Sequence, residues 1–288
     1  MEEQGPQQIE NPPIPEGMLY HYTTLDGLLG ILKDGVLWAT GLSYLSDTSE
    51  YQAGLNAVID LMNRELVETQ NDSVVDKYAP LIRQSAESVF TVSFSKETTG
   101  DDLSQWRAYG GEHSGVSLGF SFQYLREIGQ HFQEDKKDSE WIGAKRDPLV
   151  ECKYYKDGGY FEHDEEIRKE IEKIVAQKEI STKVCSFARY AATLKHEKFI
   201  AEKEWRILLV HAGGIVPDDI KFRRVKSLIV PYICISLVWD GQPIEINRIV
   251  VGPTPHNEKA KESIELLLKR NRVKYREVIN SSVPFRNW

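Results

Sequence analysis

Alternating hydrophobic and polar residues mark several short stretches of the chain, and each predicts a β-strand. The clearest is SVFTVSFSK, residues 88–96. Side chains of a strand point alternately to its two faces. Phe90, Val92 and Phe94 should therefore share one face, with Val89, Thr91, Ser93 and Ser95 on the other. The pattern predicts further strands at 18–24, 36–40, 115–121, 149–156, 204–210, 228–235, 246–253 and 273–279.

Apolar residues that recur every three or four positions predict helices between these strands. In LDGLLGILKDG the leucines fall on one helical face, Thr23 or Thr24 can cap the start, and Gly35 suits the end. Further helical segments are predicted at 50–69, 73–87, 101–110 and 257–271. Strands carry most of the polar motifs and helices fill the intervals, which favours a mixed α+β domain.

Length and composition favour one large domain. The chain has 288 residues and is 41% hydrophobic, which is enough for a full core. Residues 1–17 are acidic and proline-rich, and we interpret them as a disordered lead-in rather than a signal peptide or membrane anchor. Residues 18–288 form the predicted domain, with charged insertions at about 122–147 and 161–200. Three widely spaced cysteines favour a reducing, cytoplasmic setting.

The charge is unevenly distributed. The whole chain carries a net charge of −8, but residues 181–288 hold 19 Lys and Arg against 11 Asp and Glu. Basic residues cluster in KFRRVK (221–226) and KRNRVKYR (269–276). Such clusters are ordinarily solvated surface. They also suit a cationic face that binds a phosphate-bearing partner such as nucleic acid.

Three polar sites accompany the predicted strands, namely His21 in YHYT, Ser93 and Ser95 in SFS, and Glu202 and Glu204 in EKEW. Each could be an ordinary surface or core feature by itself. Together they suit cleavage of an N-glycosidic bond. A carboxylate can stabilise positive charge at an anomeric carbon, a neutral histidine can bond a ribose hydroxyl, and tyrosines can stack on a flat ring. The sequence has neither a glycine-rich phosphate loop nor a GxSxG nucleophile motif.

These stretches resemble a widespread, uncharacterised bacterial domain family. The resemblance extends from residue 18 to the end of the chain. The matching segments are Leu19–Thr23, Ser93–Ser95, Leu103–Gly110 with its QWRAYG motif, Gly115–Phe120, Glu202–Arg206 with its EKEWR motif, Pro231–Tyr232 and Ser282–Arg286.

That family is distantly similar to the ADP-ribosyltransferase fold, and the resemblance implies a mainly antiparallel split sheet with helical elaborations. It also implies that NAD is the substrate and that no metal is needed. Glu204, or Glu202 in its place, would stabilise the transition state. His21 would bond the NAD ribose, and Ser93 and Ser95 would shape the nicotinamide pocket. The remaining implied NAD-binding residues are Tyr20, Tyr22, Thr23, Trp106, Arg107 and Tyr109.

The resulting hypothesis is an NAD-dependent ADP-ribosyltransferase that modifies a protein or nucleic acid, with a toxin or defence role in keeping with the resemblance. The basic C-terminal third favours a nucleic-acid acceptor. Two alternatives use the same fold. One is a non-catalytic nucleotide or nucleic-acid binding module, and the other is an NAD glycohydrolase with water as the acceptor. A metal-dependent nuclease using Asp47, Glu50, Asp101 and Asp102 is a further alternative without a recognisable ligand pattern.

Overall fold

A computed structural model describes ten parts of the chain. These are residues 17–45, 48–67, 72–111, 115–136, 141–142, 147–155, 169, 181–211, 218–225 and 227–284. Most of the predicted lead-in, the end of the 122–147 segment and much of the 161–200 segment lie outside the described residues.

The described residues form thirteen strands. They are β1 (Met18–Thr24), β2 (Val36–Gly41), β3 (Val89–Lys96), β4 (Gly115–Ser121), β5 (Trp141–Ile142), β6 (Leu149–Glu151), β7 (Lys153–Tyr155), β8 (Leu194–His196), β9 (Glu204–His211), β10 (Lys221–Val225), β11 (Leu228–Ser236), β12 (Glu245–Val251) and β13 (Lys274–Asn280). The α-helices of this part are α1 (Leu25–Asp34), α2 (Thr48–Val67), α3 (Asp72–Ser85), α4 (Leu103–Tyr109), α5 (Phe122–Asp135), α6 (Ser181–Ala191) and α7 (Asn257–Arg270).

One large, mainly antiparallel sheet organises the molecule and forks at β3. Its strands follow the order β10-β11-β2-β3-β1-β4-β12-β13, and β9 pairs with the other edge of β3. On the forked edge, β2 pairs with β3 at Phe90 and Thr91, whereas β1 pairs with it at Ser95 and Lys96. The middle of β3 lies between these two partners. The predicted mixed α+β class and mainly antiparallel sheet are confirmed.

Apolar layers cover both faces of the sheet. The main core contains Phe90, Val92 and Phe94 of β3 and is closed by α1, α5 and α7. On the opposite face, Val89 of β3 belongs to a second core closed by α2, α3 and α6. The alternation predicted for residues 88–96 is therefore correct. We call a smaller group on that second face, Tyr20, Tyr22, Trp106 and Val250, the tyrosine cluster.

Two elements differ from the sequence expectation. The sequence predicts a charged insertion at about 122–147, but Phe122–Asp135 is the regular helix α5 and buries Phe122, Leu125 and Ile128 in the main core. Charged residues occupy its other face, which hides the apolar stripe in a composition-based reading. The basic stretch KFRRV, which the sequence predicts as solvated surface or as a cationic binding face, forms the edge strand β10.

Membrane crossing by a helix is not supported in this part of the chain. None of its described helices is both long and apolar enough to span a bilayer.

Gly100 provides a test of packing against the tyrosine cluster. Its φ angle is 71°, and an added Cβ would lie 2.3 Å from Cδ1 and Cε1 of the Tyr20 ring. Because a left-handed backbone and a clash with a buried ring both add cost, we expect Gly100→Ala to lower the free energy of unfolding by about 3 kcal/mol. Urea denaturation measures this loss.

Gly241→Ala is the matched control, because Gly241 has a similar φ of 75° but open space around the added Cβ. It should show the backbone cost alone, about 1 kcal/mol. Equal losses in the two variants would contradict the predicted clash with Tyr20.

Candidate functional site

The three polar motifs meet on adjoining strands. β1 pairs with β3, and β3 pairs with β9, so residues far apart in sequence become neighbours. Tyr20 lies opposite Ser95, and Ser95 lies opposite Glu204, in one row across the sheet. Directly opposed residues share a face. The row therefore lies on the face that carries the second core and the tyrosine cluster. Its polar members, Ser95 and Glu204, are buried there.

His21 occupies the fork. Its Nδ1 lies 3.0 Å from the carbonyl oxygen of Ser93, so Nδ1 carries the hydrogen and donates it. Burial lowers the pKa of His21, partly opposed by this hydrogen bond. The ring is therefore neutral at pH 7, and Nε2 keeps a lone pair that can accept a hydrogen bond.

His21 and the two serine side chains lie on different faces of the sheet. His21 alternates with Tyr20 and Tyr22, and its ring centroid lies 5.7 Å from that of Phe94 in the main core. Ser93 and Ser95 point to the opposite face, because they alternate along β3 with Phe90, Val92 and Phe94. The single cleft expected from the sequence is therefore divided by the sheet, with His21 on one face and the two serine side chains on the other.

Glu204 is the centre of a buried ionic cluster. Arg206 donates from Nε to Oε1 at 2.7 Å and from Nη2 to Oε2 at 3.0 Å, and Lys195 donates from Nζ to Oε2 at 2.7 Å. All three residues are 5–6% exposed. Burial acts to raise the pKa of Glu204, but Arg206 and Lys195 outweigh it and lower that pKa to about 2. The carboxylate is thus ionised, and both oxygens have donors.

Glu202 is the more accessible of the two glutamates. It ends the 3-10 helix Glu197–Glu202, and its side chain is 26% exposed while Oε2 accepts from Lys195 Nζ at 2.8 Å. The backbone turns at Lys203, whose φ is 43°. This turn directs the Glu202 carbonyl oxygen to the Ser95 hydroxyl at 2.7 Å, which fixes the segment against β3. Either glutamate can supply negative charge. Glu202 is the one whose side chain already reaches the surface.

Glu97 is a site residue that the sequence reasoning missed. Its Oε2 accepts from the Tyr22 hydroxyl at 3.2 Å, and its Oε1 lies 3.1 Å from Ser95 Oγ. Burial raises the pKa of Glu97, and the negative charge of Asp102 raises it further. The available signal was the two-residue spacing of a strand. Glu97 stands two positions after Ser95, so it continues the face that carries Ser93 and Ser95.

The aromatic residues assigned to the site divide into buried and exposed groups. Tyr20, Tyr22 and Trp106 are 0%, 6% and 3% exposed, so their rings are covered by protein and pack on one another. Trp106 meets Tyr22 edge-on at 4.8 Å between ring centroids, and its Nε1 donates to Asp101 at 2.8 Å.

Tyr109, at the end of α4, is 47% exposed. Burial of its hydroxyl and the nearby charges of Glu202 and Glu204 raise the pKa of Tyr109. It is therefore the exposed ring beside the carboxylates, and it shares the exposed surface of α4 with Arg107.

Thr23 and the loop aspartates have local structural contacts. Thr23 packs against the first turn of α1, where a Cβ added at Gly27 would lie 2.1 Å from its Oγ1. Asp102 caps α4 by accepting from the backbone of Ser104 and Gln105. Asp101 accepts hydrogen bonds from Ser281 and Ser282 and so fastens the C-terminal segment. In the described part of the chain, His, Cys, Asp and Glu form no group of three that could hold a metal ion.

Comparison with known proteins gives one family match. The model of a family described as "Protein of unknown function (DUF2971)" matches residues 105–207, which include all of QWRAYG and all of EKEWR. The chain is therefore similar over this segment to an uncharacterised family, while the match does not extend to the rest of the predicted range of residues 18–288. No curated protein and no solved structure matches the chain.

Proposed function

We propose that the protein is an NAD-dependent ADP-ribosyltransferase that modifies a macromolecular acceptor. The observation that carries this proposal is the convergence of His21, the SFS motif and the EKEW motif on three adjoining strands at a fork in the sheet. The sequence resemblance requires these three motifs to be neighbours, although they lie more than a hundred residues apart at the extremes. A forked, mainly antiparallel sheet is also the architecture that the resemblance implies.

The described residues suit the parts of NAD in different ways. Neutral His21 offers Nε2 to a ribose hydroxyl at the fork. The exposed ring of Tyr109 is suited to stack on a flat heterocycle, and Arg107, an exposed residue of the same helix, is suited by its charge to pair with the diphosphate. Tyr20, Tyr22 and Trp106 are buried, so their own rings are not open to stack on NAD.

In such a transfer the bond between ribose C1′ and the nicotinamide nitrogen breaks, and nicotinamide leaves with the electron pair. A new bond joins C1′ to a nucleophilic atom of the acceptor, whose proton passes to a base. The negative charge of Glu202 and Glu204 stabilises the positive charge that develops on the ribose. Glu204 cannot serve as the base, because its pKa of about 2 makes it a poor proton acceptor. Glu97, whose pKa is raised, is suited to that role.

One observation favours a second candidate, a non-catalytic nucleotide-binding module. Both oxygens of Glu204 are occupied by Arg206 and Lys195, so this carboxylate would need to exchange a donor before it could bond a sugar hydroxyl. A binding module needs no such exchange. The two candidates differ in one measurable quantity, namely release of nicotinamide.

The test is incubation of the purified protein with NAD and chromatographic measurement of nicotinamide, together with calorimetric titration of NAD binding. Release that requires a macromolecular acceptor would support the transferase, and release without one would indicate a glycohydrolase. Binding without release would favour the module. Absence of both would overturn the proposal.

His21→Ala tests the position of the nucleotide. Loss of the Nε2 acceptor should weaken NAD binding about tenfold, the equivalent of one hydrogen bond of about 1.4 kcal/mol. His256→Ala is the matched control, because His256 is exposed and lies far along the chain at the start of α7. If NAD binds both variants as it binds the wild type, the fork is not its binding site.

A further inference from the structure

The outer strands of the sheet carry aromatic and cationic side chains on one face, of which Trp38 is exposed and Tyr232 and Arg223 are half-buried. Tyr232 of β11 lies opposite Thr40 of β2, and Trp38 lies opposite Cys234. The ring centroids of Trp38 and Tyr232 are 4.8 Å apart. The Arg223 guanidinium of β10 lies over both rings, with Cζ 5.1 Å and 5.8 Å from their centroids. We call Trp38, Tyr232 and Arg223 the aromatic platform.

The aromatic platform is partly exposed and cationic. Trp38 is 37% exposed, although tryptophan is highly buried on average. β2, β10 and β11 contain no Asp or Glu, and Lys221 and Arg223 share the face of the platform, while Arg224 lies on the other face with Phe222. Arg223 Nη2 donates to Thr40 Oγ1 at 2.9 Å, whereas its Nε is buried and has no hydrogen-bond partner among the described residues. The charge of Arg223 is therefore held in place over two rings without a carboxylate beside it on these strands.

The aromatic platform shares a face with the candidate site. Thr40 of β2 lies opposite Thr91 of β3, and Thr91 points to the same face of that strand as Ser93 and Ser95. Adjacent strands lie about 4.8 Å apart, so β10 is roughly 14 Å from β3 across the sheet. The platform and the serines therefore share one face of the sheet, and the residues between them, Thr40 and Thr91, are covered at 6% and 3% exposure.

We infer that the aromatic platform binds single-stranded nucleic acid. Base stacking on aromatic rings combined with cationic contacts to the backbone is the chemistry by which proteins hold single strands without reading their sequence. Arginine over an aromatic ring adds a further flat cationic surface. A polyanion fits a strand face that carries two cations, Lys221 and Arg223, and no acid, whereas an acidic peptide would use the charges and leave the rings without a stacking partner. The bound strand presents the acceptor for ADP-ribosyl transfer, a step that rests on the proposed function.

The test measures fluorescence anisotropy of short labelled oligodeoxythymidylate and oligouridylate with the full chain, in the absence of NAD. Trp38→Ala should weaken binding about ten- to a hundredfold, the loss of one stacked base, while Trp38→Phe should retain most of the affinity because it keeps an aromatic face. Arg223→Gln should reduce the slope of log affinity against log salt by about 0.7, one phosphate contact with a single strand.

Phe222→Ala is the matched control. Phe222 is 59% exposed on the same hairpin, but it lies opposite Pro231 and points to the other face. Binding that is unchanged in Phe222→Ala and weakened in Trp38→Ala supports the platform. Absence of oligonucleotide binding, or equal losses in the two variants, overturns it. Self-association that Trp38→Ala abolishes, measured by sedimentation, also overturns it and assigns the face to a second copy.

Because this assay contains no NAD, its result is independent of the proposed enzyme activity. Oligonucleotide binding without nicotinamide release would leave the platform in place and favour the binding module. Nicotinamide release without oligonucleotide binding would retain the enzyme and exclude this surface as the nucleic-acid site.

Discussion

Glu204→Gln should destabilise the fold strongly, by about 3–5 kcal/mol. The substitution removes a negative charge that faces Arg206 and Lys195 within a cluster only 5–6% exposed. Two buried cations would then lack their shared counter-ion, and removing one partner of a buried ion pair costs that much. The variant would lose activity as well. That loss would combine unfolding with any effect of the missing negative charge on the transition state. Urea denaturation monitored by circular dichroism measures the free energy of unfolding.

A surface ion pair provides the control. Arg248 Nε and Glu277 Oε1 are 2.6 Å apart, but the Glu277 side chain is 45% exposed. Glu277→Gln should therefore cost less than about 1 kcal/mol. If Glu204→Gln prevents folding altogether, Arg206→Lys gives a graded measurement, since it retains the charge and loses the two-point contact. A Glu204→Gln variant with the wild-type unfolding midpoint would show that the cluster does not support the fold.

The same cluster predicts an acid response. The pKa of Glu204 is lowered from 4.5 to about 2, so the folded state holds the ionised form more strongly than the unfolded chain does. Its stabilising contribution is complete above pH 4.5 and is lost as the pH falls toward 2.

Hydrophobic alternation was sufficient to locate most of the sheet. β4 has the bounds predicted from GVSLGFS, and β3 and β9 differ from their predicted bounds by one residue. These strands are buried on both sides or alternate cleanly, so local pattern and tertiary structure agree. β10 was missed because KFRRV has exposed, charged positions, and its strand conformation comes from pairing with β11 rather than from its own composition.

The site was less predictable because its geometry depends on register. Nothing local to EKEW shows that Glu204 faces Arg206 and Lys195, since Lys195 enters from β8, a strand that the sequence pattern did not reveal. Likewise, only the register of β1 against β3 shows that His21 and Ser95 point to opposite faces. Tyr22 and Trp106 illustrate the same limit, because aromatic residues in a polar motif look available for stacking until their packing is known.

Glu97→Gln should separate catalysis from stability. If Glu97 accepts the acceptor proton, as proposed, its loss should reduce turnover about 10²- to 10⁴-fold, the usual contribution of a general base. Unfolding free energy should not fall, because burial raises the pKa of Glu97 and the neutral amide removes a charge that the folded state disfavours. An amide oxygen can still accept from the Tyr22 hydroxyl. Wild-type turnover should rise with pH through a pKa above the ordinary 4.5 of a glutamate, and this step should vanish in the variant.

Glu87→Gln, an exposed glutamate just before β3, is the matched control and should retain full turnover. Unchanged turnover in Glu97→Gln would show that the acceptor loses its proton to another group. Reduced turnover with an unchanged pH profile would instead give Glu97 a positioning role, acting through Ser95 and Tyr22.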